Sequence, residues 1–322
     1  MKSVSIAMAT YNGGAYLEEQ LRSFVSQQMQ PSELVVCDDC SVDNTIEILE
    51  AFSRSAPFHV KIIKNEHRLG YASNFIKAIG LCEGDFIFVS DQDDVWLPVK
   101  IKAVFSILNK YERLLVVIND QTLCDEFLNP SDVTTLSALK RQGKHDSQFV
   151  HGCCTAFSKK ILPIVAERPE CVAHDDWIHL IGRICGRRYI HPESLQLYRR
   201  HPQATTSSVM NRIDFEISRD KSLIRTRDEN IRTVENLNKR CEPITSLVAS
   251  LRSIDLCTNE MRAICRDAFH DASLELGAIR RRIDNIERHS LFGVLRSYSI
   301  GDYRQFSGWR SAIRDIATLF VR

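Results

Sequence analysis

Short apolar runs alternate with segments of helical spacing along the first 90 residues. The runs lie at residues 4–8, 34–37, 60–63 and 86–89. Each run has the length of a strand buried within a sheet. Between the runs, apolar side chains recur every three or four positions, as on one face of a helix, within residues 15–28, around Leu49 and around Phe75. This alternation predicts an α/β fold, with a mostly parallel sheet covered by helices on both faces.

Acidic side chains follow two of the predicted strands. Asp38 and Asp39 come after the second strand, and Asp91, Asp93 and Asp94 come after the fourth. Because the carboxyl ends of parallel strands share one edge of a sheet, where ligands bind, we expect a site there. Clustered carboxylates repel one another unless a cation neutralises them, and their oxygen atoms suit Mg²⁺ or Mn²⁺. A second interpretation stays open here: an acidic surface turn that begins the next helix.

The turn after the first strand contains Asn12, Gly13 and Gly14, which supply the backbone freedom that a sharp strand-to-helix connection needs. This turn lacks the glycine spacing of a dinucleotide-binding fold, and the chain has no P-loop motif. The sequence therefore supports neither of these phosphate sites. It predicts a sheet that presents carboxylates from its second and fourth strands.

The composition is that of an ordinary globular protein, with 44% hydrophobic residues and a net charge of +1. We find no signal peptide and no apolar stretch near the ~20 residues that span a bilayer, so we expect a cytoplasmic protein. The eleven cysteines are odd in number and mostly lie in apolar runs, which predicts reduced thiols. Cys37 and Cys40 have the spacing of a redox or zinc pair, but no second pair accompanies them.

The character of the chain changes after Pro202. Residues 205–208 are polar, and apolar positions between Ile213 and Leu237 then recur at helical spacing. We therefore divide the chain into a larger domain, 1–205, and a helical extension, 206–322. From residue 280 onward the extension has nine arginines against four acids, interleaved with aromatic side chains that include Phe306 and Trp309.

Three interpretations of this basic segment stand side by side. Arginines with aromatic residues are typical of nucleic-acid binding, but no RNA-binding or helix-turn-helix signature accompanies them, so we expect no nucleic-acid partner. A pair of helices packed on the larger domain is the purely structural interpretation. The functional one is a peripheral surface that rests on an anionic membrane, which would hold the protein at the inner face of the cytoplasmic membrane.

Three motifs in the larger domain carry a family resemblance. They are residues 9–13, residues 35–45 and residues 90–96, the last reading Ser-Asp-Gln-Asp-Asp-Val-Trp. In this order they resemble the successive signatures of family 2 glycosyltransferases with the A-type fold. The third motif resembles the rhamnosyltransferase-like branch that builds bacterial surface polysaccharides such as O-antigen, lipopolysaccharide or capsule. Cys37 and Cys40 depart from the residues more common there.

The resemblance continues to about residue 205. Residues 151–154 resemble the acceptor-side strand of the family, and residues 174–177 resemble its motif for a catalytic base at a helix start. Residues 198–201 resemble a closing motif whose histidine joins the metal site. The resemblance thus implies that 1–205 binds the nucleotide sugar and the acceptor, and it assigns no motif to the extension.

The resemblance implies a role for each candidate residue. A carboxylate such as Asp39 accepts the imide N–H of uracil or thymine while Tyr11 packs on the ring, so we expect a UDP- or dTDP-sugar donor. The nucleotide-binding residues are Thr10, Tyr11, Asn12, Asp39 and Asp91. The ligands of Mg²⁺ or Mn²⁺ are Asp93, Asp94 and His201. Which of Asp91 and Asp94 binds the metal directly is left open. The residues expected at the acceptor or diphosphate are Trp96, Asp176, Trp177, Arg199 and Arg200.

Asp175 is the expected base, and its neighbour Asp176 is the competing candidate. A helix N-terminus is expected to lower the pKa of either carboxyl and keep it ready to accept a proton. Together these roles imply an inverting, metal-dependent transfer of a hexosyl or deoxyhexosyl group to a glycan or lipid-linked acceptor. The alternative is a non-catalytic module that binds nucleotide sugars or carbohydrate within an assembly complex, but such a module has no need of Asp175.

Overall fold

The computed structural model describes residues 2–143, 146–202, 227–253 and 259–303, together with positions 311, 312, 315, 316 and 319. The chain divides into two compact units, Met1–Arg212 and Ile213–Arg322. The predicted boundary at 205/206, the polar loop 205–208, the helical positions 213–224, and Phe306 and Trp309 lie outside the described residues. The roles assigned to the two domains stay predictions.

Nine strands of the first unit form one sheet. The strands are β1 (Val4–Thr10), β2 (Glu33–Asp38), β3 (His59–Lys64), β4 (Phe86–Ser90), β5 (Val95–Trp96), β6 (Val116–Cys124), β7 (Pro130–Thr134), β8 (Thr155–Ser158) and β9 (Arg188–Arg199). Their order is β3-β2-β1-β4-β8-β6-β9-β5, and β7 pairs with β6. The predicted parallel set β3-β2-β1-β4 is confirmed, whereas β8 runs antiparallel to both of its neighbours.

Helices cover the sheet. They are α1 (Leu17–Val25), α2 (Thr45–Ser53), α3 (Tyr71–Gly80), α4 (Lys100–Lys110), α5 (Thr135–Arg141), α6 (Leu162–Ala166) and α7 (His174–Ile184). The apolar spacing explains how α1 packs, since Leu17, Leu21 and Phe24 are fully buried. This helix is shorter than the predicted 15–28, because Gln27 leaves the helical path and its amide bonds Leu97 O at 2.9 Å.

The central strands are buried on both faces, as their continuous apolar runs predict. Ile6 and Met8 of β1, Leu34 of β2 and Phe88 of β4 join one core with α1 and α4. Strand β1 pairs with β2 on one side and with β4 on the other. This reversal of strand order opens a crevice at the carboxyl ends of β1 and β4, the usual place for a ligand in such a sheet.

The second unit is helical over its described part. Its helices are α8 (Arg227–Ser253), α9 (Asn259–Glu287) and α10 (Leu291–Ser299). Arg282 holds Asp315 through two hydrogen bonds of 2.8 and 3.1 Å, and the Tyr303 hydroxyl donates to the same carboxylate at 2.7 Å. Because the pair is buried and joined by these hydrogen bonds, losing either partner would leave a costly unpaired charge. Among the described helices, none is long and apolar enough to cross a membrane.

Candidate active site

The loop after β1 is tied to the loop after β2 by side-chain hydrogen bonds. Thr10 Oγ1 donates to Asp38 Oδ2 at 2.8 Å. Asn12 has a φ of 48°, which asparagine tolerates better than most residues. Its N–H donates to Ser41 Oγ at 2.8 Å, while its Oδ1 accepts from the N–H of Val42 at 2.9 Å. Thr10 and Asn12, both predicted to bind nucleotide, therefore hold the two loops of the crevice together.

Asp39 is buried at the end of β2 and accepts three hydrogen bonds. The donors are the N–H groups of Leu69 (2.7 Å) and Gly70 (2.9 Å) and the side-chain amide of Asn65 (3.0 Å). Two of these donors immediately precede α3, so the carboxylate stabilises the start of that helix. A carboxylate has about four acceptor positions, which leaves one direction for a further donor.

Tyr11 is 36% exposed at the mouth of the crevice. The Arg68 guanidinium lies 3.8 Å from the centre of its ring, a cation–π contact. The side chain of Gln92 bonds the Tyr11 backbone twice, accepting from its N–H at 2.9 Å and donating to its carbonyl at 3.1 Å. Arg68 and Gln92 thus frame the crevice, although the sequence interpretation passed over both. Gln92 stands inside the acidic motif, which was the available signal.

Asp93 and His201 come together as predicted for a metal site. His201 Nε2 lies 3.0 Å from Asp93 Oδ2, and the histidine ring packs against Tyr16 in a tilted contact with centroids 4.5 Å apart. The His201 side chain is 6% exposed and that of Asp93 is 21% exposed, so the pair is sheltered but reachable. Carboxylate oxygen suits Mn²⁺ and Mg²⁺, so Asp93 fits such an ion, and the His201 imidazole offers a nitrogen ligand beside it.

Asp91 and Asp94 lie behind this pair, against Cys153. Ligand atoms of these three residues all lie within 4.8 Å of one another. Burial, with repulsion from Asp93 and Asp175, raises the pKa of Asp91 to about 7. Burial also raises the pKa of Asp94 well above its usual range. The cluster is therefore short of compensating positive charge, as expected of a site that receives a cation.

Asp94 differs from Asp91 in its accessibility. Its carboxylate is fully buried, accepts the N–H of Arg199 at 3.1 Å and accepts the side-chain amide of Gln196 at 3.1 Å. Asp91 keeps some exposure. The sequence left open which of these two acids binds the metal directly. The geometry favours Asp91 for contact with a ligand and Asp94 for holding β9 against the acidic loop.

Lys100 is a buried cation behind the same loop. Its Nζ donates to Cys153 O at 2.8 Å and to the Gln196 side chain, and it lies 3.9 Å from the centre of the Trp96 ring. Burial lowers its pKa to about 8. The sequence interpretation missed this residue because a lysine on an amphipathic helix is typical of an exposed face.

Asp175 lies in the first turn of α7, half-buried, and its Oδ1 accepts the N–H of Asp176 at 3.0 Å. Its negative charge contributes to raising the pKa of Asp91 and of Asp176, so it lies on the side of the crevice that carries the acidic loop. Partial burial and the charge of Asp175 raise the pKa of Asp176, in the direction opposite to the lowering expected from the helix N-terminus.

The preceding motif, residues 151–154, also differs from expectation. Residues Gly152–Cys154 form a turn of 3₁₀ helix, and the strand begins only at Thr155. A Cβ at Gly152 would lie 2.7 Å from His174 Nε2, so glycine is what allows this turn to lie against the start of α7. Burial lowers the pKa of His174 to about 4, and its neutral ring stacks on Phe75 with centroids 4.1 Å apart.

Three residues expected at the acceptor or diphosphate are buried in the core. Trp96 is 1% exposed and packs edge-on against Phe24, and Trp177 is fully buried with its indole N–H donating to Ile164 O at 3.0 Å. Arg199 is 3% exposed, and its guanidinium pairs with Glu19 and donates to Asp93 O. The described contacts of all three side chains are with protein, and their roles at the acceptor or diphosphate stay predictions. Asp176 is exposed and Arg200 is half-buried, and the roles expected of both stay predictions.

The switch-point crevice with its acidic loop is that of a glycosyltransferase with the A-type fold. The structure of S. aureus TarS residues 1–349 in complex with UDP shows the same fold, with a TM-score of 0.53 at 17% identity over 87% of this chain and 92% of that one. The family model of glycosyl transferase family 2 matches residues 5–163.

Two curated relatives agree with this match. The dTDP-rhamnosyl transferase RfbG of Shigella flexneri is 30% identical over 216 residues, which cover 60% of this chain and 71% of that protein. An Escherichia coli glucosyltransferase, WfgD, whose name specifies UDP-Glc and α-D-GlcNAc-diphosphoundecaprenol, is 32% identical over 44% of this chain and 56% of its own length. The chain belongs to glycosyl transferase family 2, and the predicted resemblance and fold class are confirmed.

Proposed function

We propose that this chain is an inverting, metal-dependent glycosyltransferase that uses a UDP- or dTDP-sugar. The observation that carries the proposal is the convergence, at one crevice, of three chemically different groups. These are a buried carboxylate beside an exposed tyrosine (Asp39 and Tyr11), an acidic loop joined by a histidine (Asp93 and His201), and a half-buried carboxylate on a separate helix (Asp175).

Asp39 and Tyr11 would bind the pyrimidine. Asp39 has one acceptor direction left for an imide N–H, and the ring of Tyr11 offers a stacking face. Arg68, which now lies on that ring, would move with the base or cover its other side. The names of the relatives fit a pyrimidine donor, since one is a dTDP-rhamnosyl transferase and the other specifies UDP-Glc.

Asp93 and His201, with Asp91, would hold Mg²⁺ or Mn²⁺. A divalent cation at these residues would neutralise charge on the departing diphosphate. The buried Lys100 offsets part of the charge of the acidic loop from behind, and Arg200 is a candidate for further contact with the diphosphate. Mg²⁺ and Mn²⁺ share this oxygen-rich preference, so we propose both as competent metals.

Asp175 would act as the general base. It would take the proton of the acceptor hydroxyl as the new bond forms from that oxygen to the anomeric carbon and the bond from that carbon to the diphosphate breaks. One displacement of this kind inverts the anomeric configuration. Asp175 suits the role because it lies on α7, an element separate from the acidic loop, and is only half-buried.

The acceptor would be a glycan or a lipid-linked saccharide in the synthesis of a surface polysaccharide. This part rests on the relatives, one of which is named for a diphosphoundecaprenol acceptor. A lipid-linked acceptor lies at a membrane, so we place the working enzyme at the inner surface of the cytoplasmic membrane.

A panel of nucleotide sugars tests the proposal. Each donor is incubated with the protein without acceptor, and the released nucleotide is measured with Mg²⁺, with Mn²⁺ and with excess chelator. We expect slow hydrolysis of one UDP- or dTDP-sugar that needs metal, and Asp93→Ala should abolish it. Full hydrolysis in chelator would contradict the metal assignment, and turnover of purine donors alone would contradict the role of Asp39.

A further inference from the structure

Helix α10 is apolar on two sides. On one side Val294 is fully buried, and Ser297 accepts a hydrogen bond from the Asn285 amide of α9 at 3.1 Å. The other side is open to solvent. Its exposed residues are Leu291 (40%), Phe292 (78%), Leu295 (52%) and Tyr298 (48%). Single exposed apolar side chains are common, but four on one short helix form a patch that needs an explanation.

The four side chains form one stripe. At 100° per residue they fall within an arc of about 120°, the width of the apolar face of an interfacial helix. The helix is held in place from its first turn, because Ser290 caps it by accepting the Gly293 N–H at 3.0 Å. The stripe is therefore presented outward by a fixed helix.

The segment that contains the stripe carries more positive than negative charge. Arg288 and Arg296 flank the stripe and are exposed, and Arg288 pairs with the exposed Asp284 at 2.6 Å. Asp302 and Asp315 are 5% and 1% exposed and pair with Arg281 and Arg282, so these two acids and two arginines balance one another. The sequence of this segment carries nine arginines against four acids, an excess of five positive charges. This favours an anionic occupant and disfavours a second copy of the same basic surface.

We propose that the outward stripe of α10 docks on an anionic lipid bilayer. Phe292 and Leu295 insert at the headgroup level, while Arg288 and Arg296 contact lipid phosphates. The proposal rests on the proposed function and names the surface that would hold the enzyme at the membrane. Membrane binding by the stripe needs neither donor nor acceptor. Measuring donor hydrolysis on the same variants therefore distinguishes a failure of membrane docking from a failure of the catalytic assignment.

Co-sedimentation of the full chain with vesicles tests the stripe. We compare vesicles of phosphatidylglycerol mixed with phosphatidylcholine against pure phosphatidylcholine, across a salt series. We expect binding to the anionic vesicles that weakens with salt, and a loss of at least about tenfold in the double variant Phe292→Ser/Leu295→Ser. The matched control is Phe127→Ser, which removes a phenylalanine that is 76% exposed in the other unit and should leave binding unchanged.

Equal binding to neutral and anionic vesicles would overturn the proposal, as would equal losses in the control and in the double variant. Thermal unfolding of each variant shows whether the fold persists. A second measurement does not depend on loss of function: Phe292→Trp should shift its fluorescence to the blue with anionic vesicles and be quenched by brominated lipid, whereas Phe127→Trp should not. If the double variant instead abolishes a dimer and leaves vesicle binding intact, the stripe is a contact between copies.

Discussion

His201 Nε2 lies 3.0 Å from Asp93 Oδ2, although 108 residues separate the two in sequence. The sheet explains the contact. The short strand β5 directly follows the acidic loop and pairs antiparallel with β9, joining Trp96 to Gln196 and Val95 to Leu197. The end of β9 therefore runs past the acidic loop and delivers the histidine to it. Asp94 secures this approach by accepting the Arg199 N–H.

Removing the histidine should weaken metal binding more than it slows chemistry. We expect His201→Gln to raise the half-saturating concentration of Mn²⁺ for donor hydrolysis by about tenfold or more, with a smaller change in the rate at saturating metal. The matched control is His67→Gln, which changes an exposed histidine outside the acidic loop. An unchanged metal titration in His201→Gln would rule out His201 as a ligand.

The base assignment predicts a separation between chemistry and donor binding. Asp175→Asn keeps the size and hydrogen bonding of the side chain but removes the proton acceptor, so kcat for transfer should fall ~10²-fold or more. The dissociation constant for the donor nucleotide, measured by calorimetry, should hardly change. Asp176→Asn provides the comparison, and a larger loss there would move the role of base to the exposed carboxylate.

The raised pKa of Asp91 predicts how the metal-free protein responds to pH. Burial, with the charges of Asp93 and Asp175, lifts this pKa to about 7, above its usual value near 4. Between these values the folded chain holds a proton that the unfolded chain has lost, so this group lowers stability as pH rises through that interval.

Asp91→Asn should therefore raise the melting temperature in chelator at pH 8, by at least ~2 °C, with the difference shrinking as pH falls toward 4. Comparing the variant with the native protein at each pH cancels the titrating groups that do not interact with Asp91, whereas the neighbouring acids contribute to the difference. A destabilised Asp91→Asn at pH 8 would contradict the account of the acidic loop as strained without a cation.

Gln92 should contribute to donor binding without touching the metal. Its amide bonds both the N–H and the carbonyl of Tyr11 and so holds the backbone from which the tyrosine ring extends. We expect Gln92→Ala to raise KM for the donor about tenfold through loss of this positioning. Gln92→Glu keeps the acceptor for the N–H but loses the donor to the carbonyl, so its KM should also rise. If neither changes KM, Tyr11 does not depend on this contact.

Much of the fold follows from the sequence because its signals are local. Four apolar runs with intervening helical spacing determine the parallel strands β3-β2-β1-β4, and acids at the strand ends predict the edge that carries the site. The antiparallel β8 and the pairing of β5 with β9 depend on contacts between distant residues, for which the local pattern carries no signal.

Three of the predicted site residues are packed within the protein. Trp96, Trp177 and Arg199 stand within motifs, and a motif does not distinguish a side chain that touches a ligand from one that supports its neighbours. Trp177 is fully buried while the adjacent Asp176 is exposed, a difference that the motif does not show. The supporting roles of Lys100 and Gln196 were equally invisible, because each is defined by partners far away in the chain.

The most direct test of the central claim is a crystal of the native protein with Mn²⁺ and UDP, measured for anomalous scattering of manganese. The account predicts one strong peak bonded to Asp93 and His201, beside the diphosphate, with the uracil between Asp39 and Tyr11. A manganese peak elsewhere, or nucleotide bound in the crevice with no metal at Asp93 and His201, would contradict it.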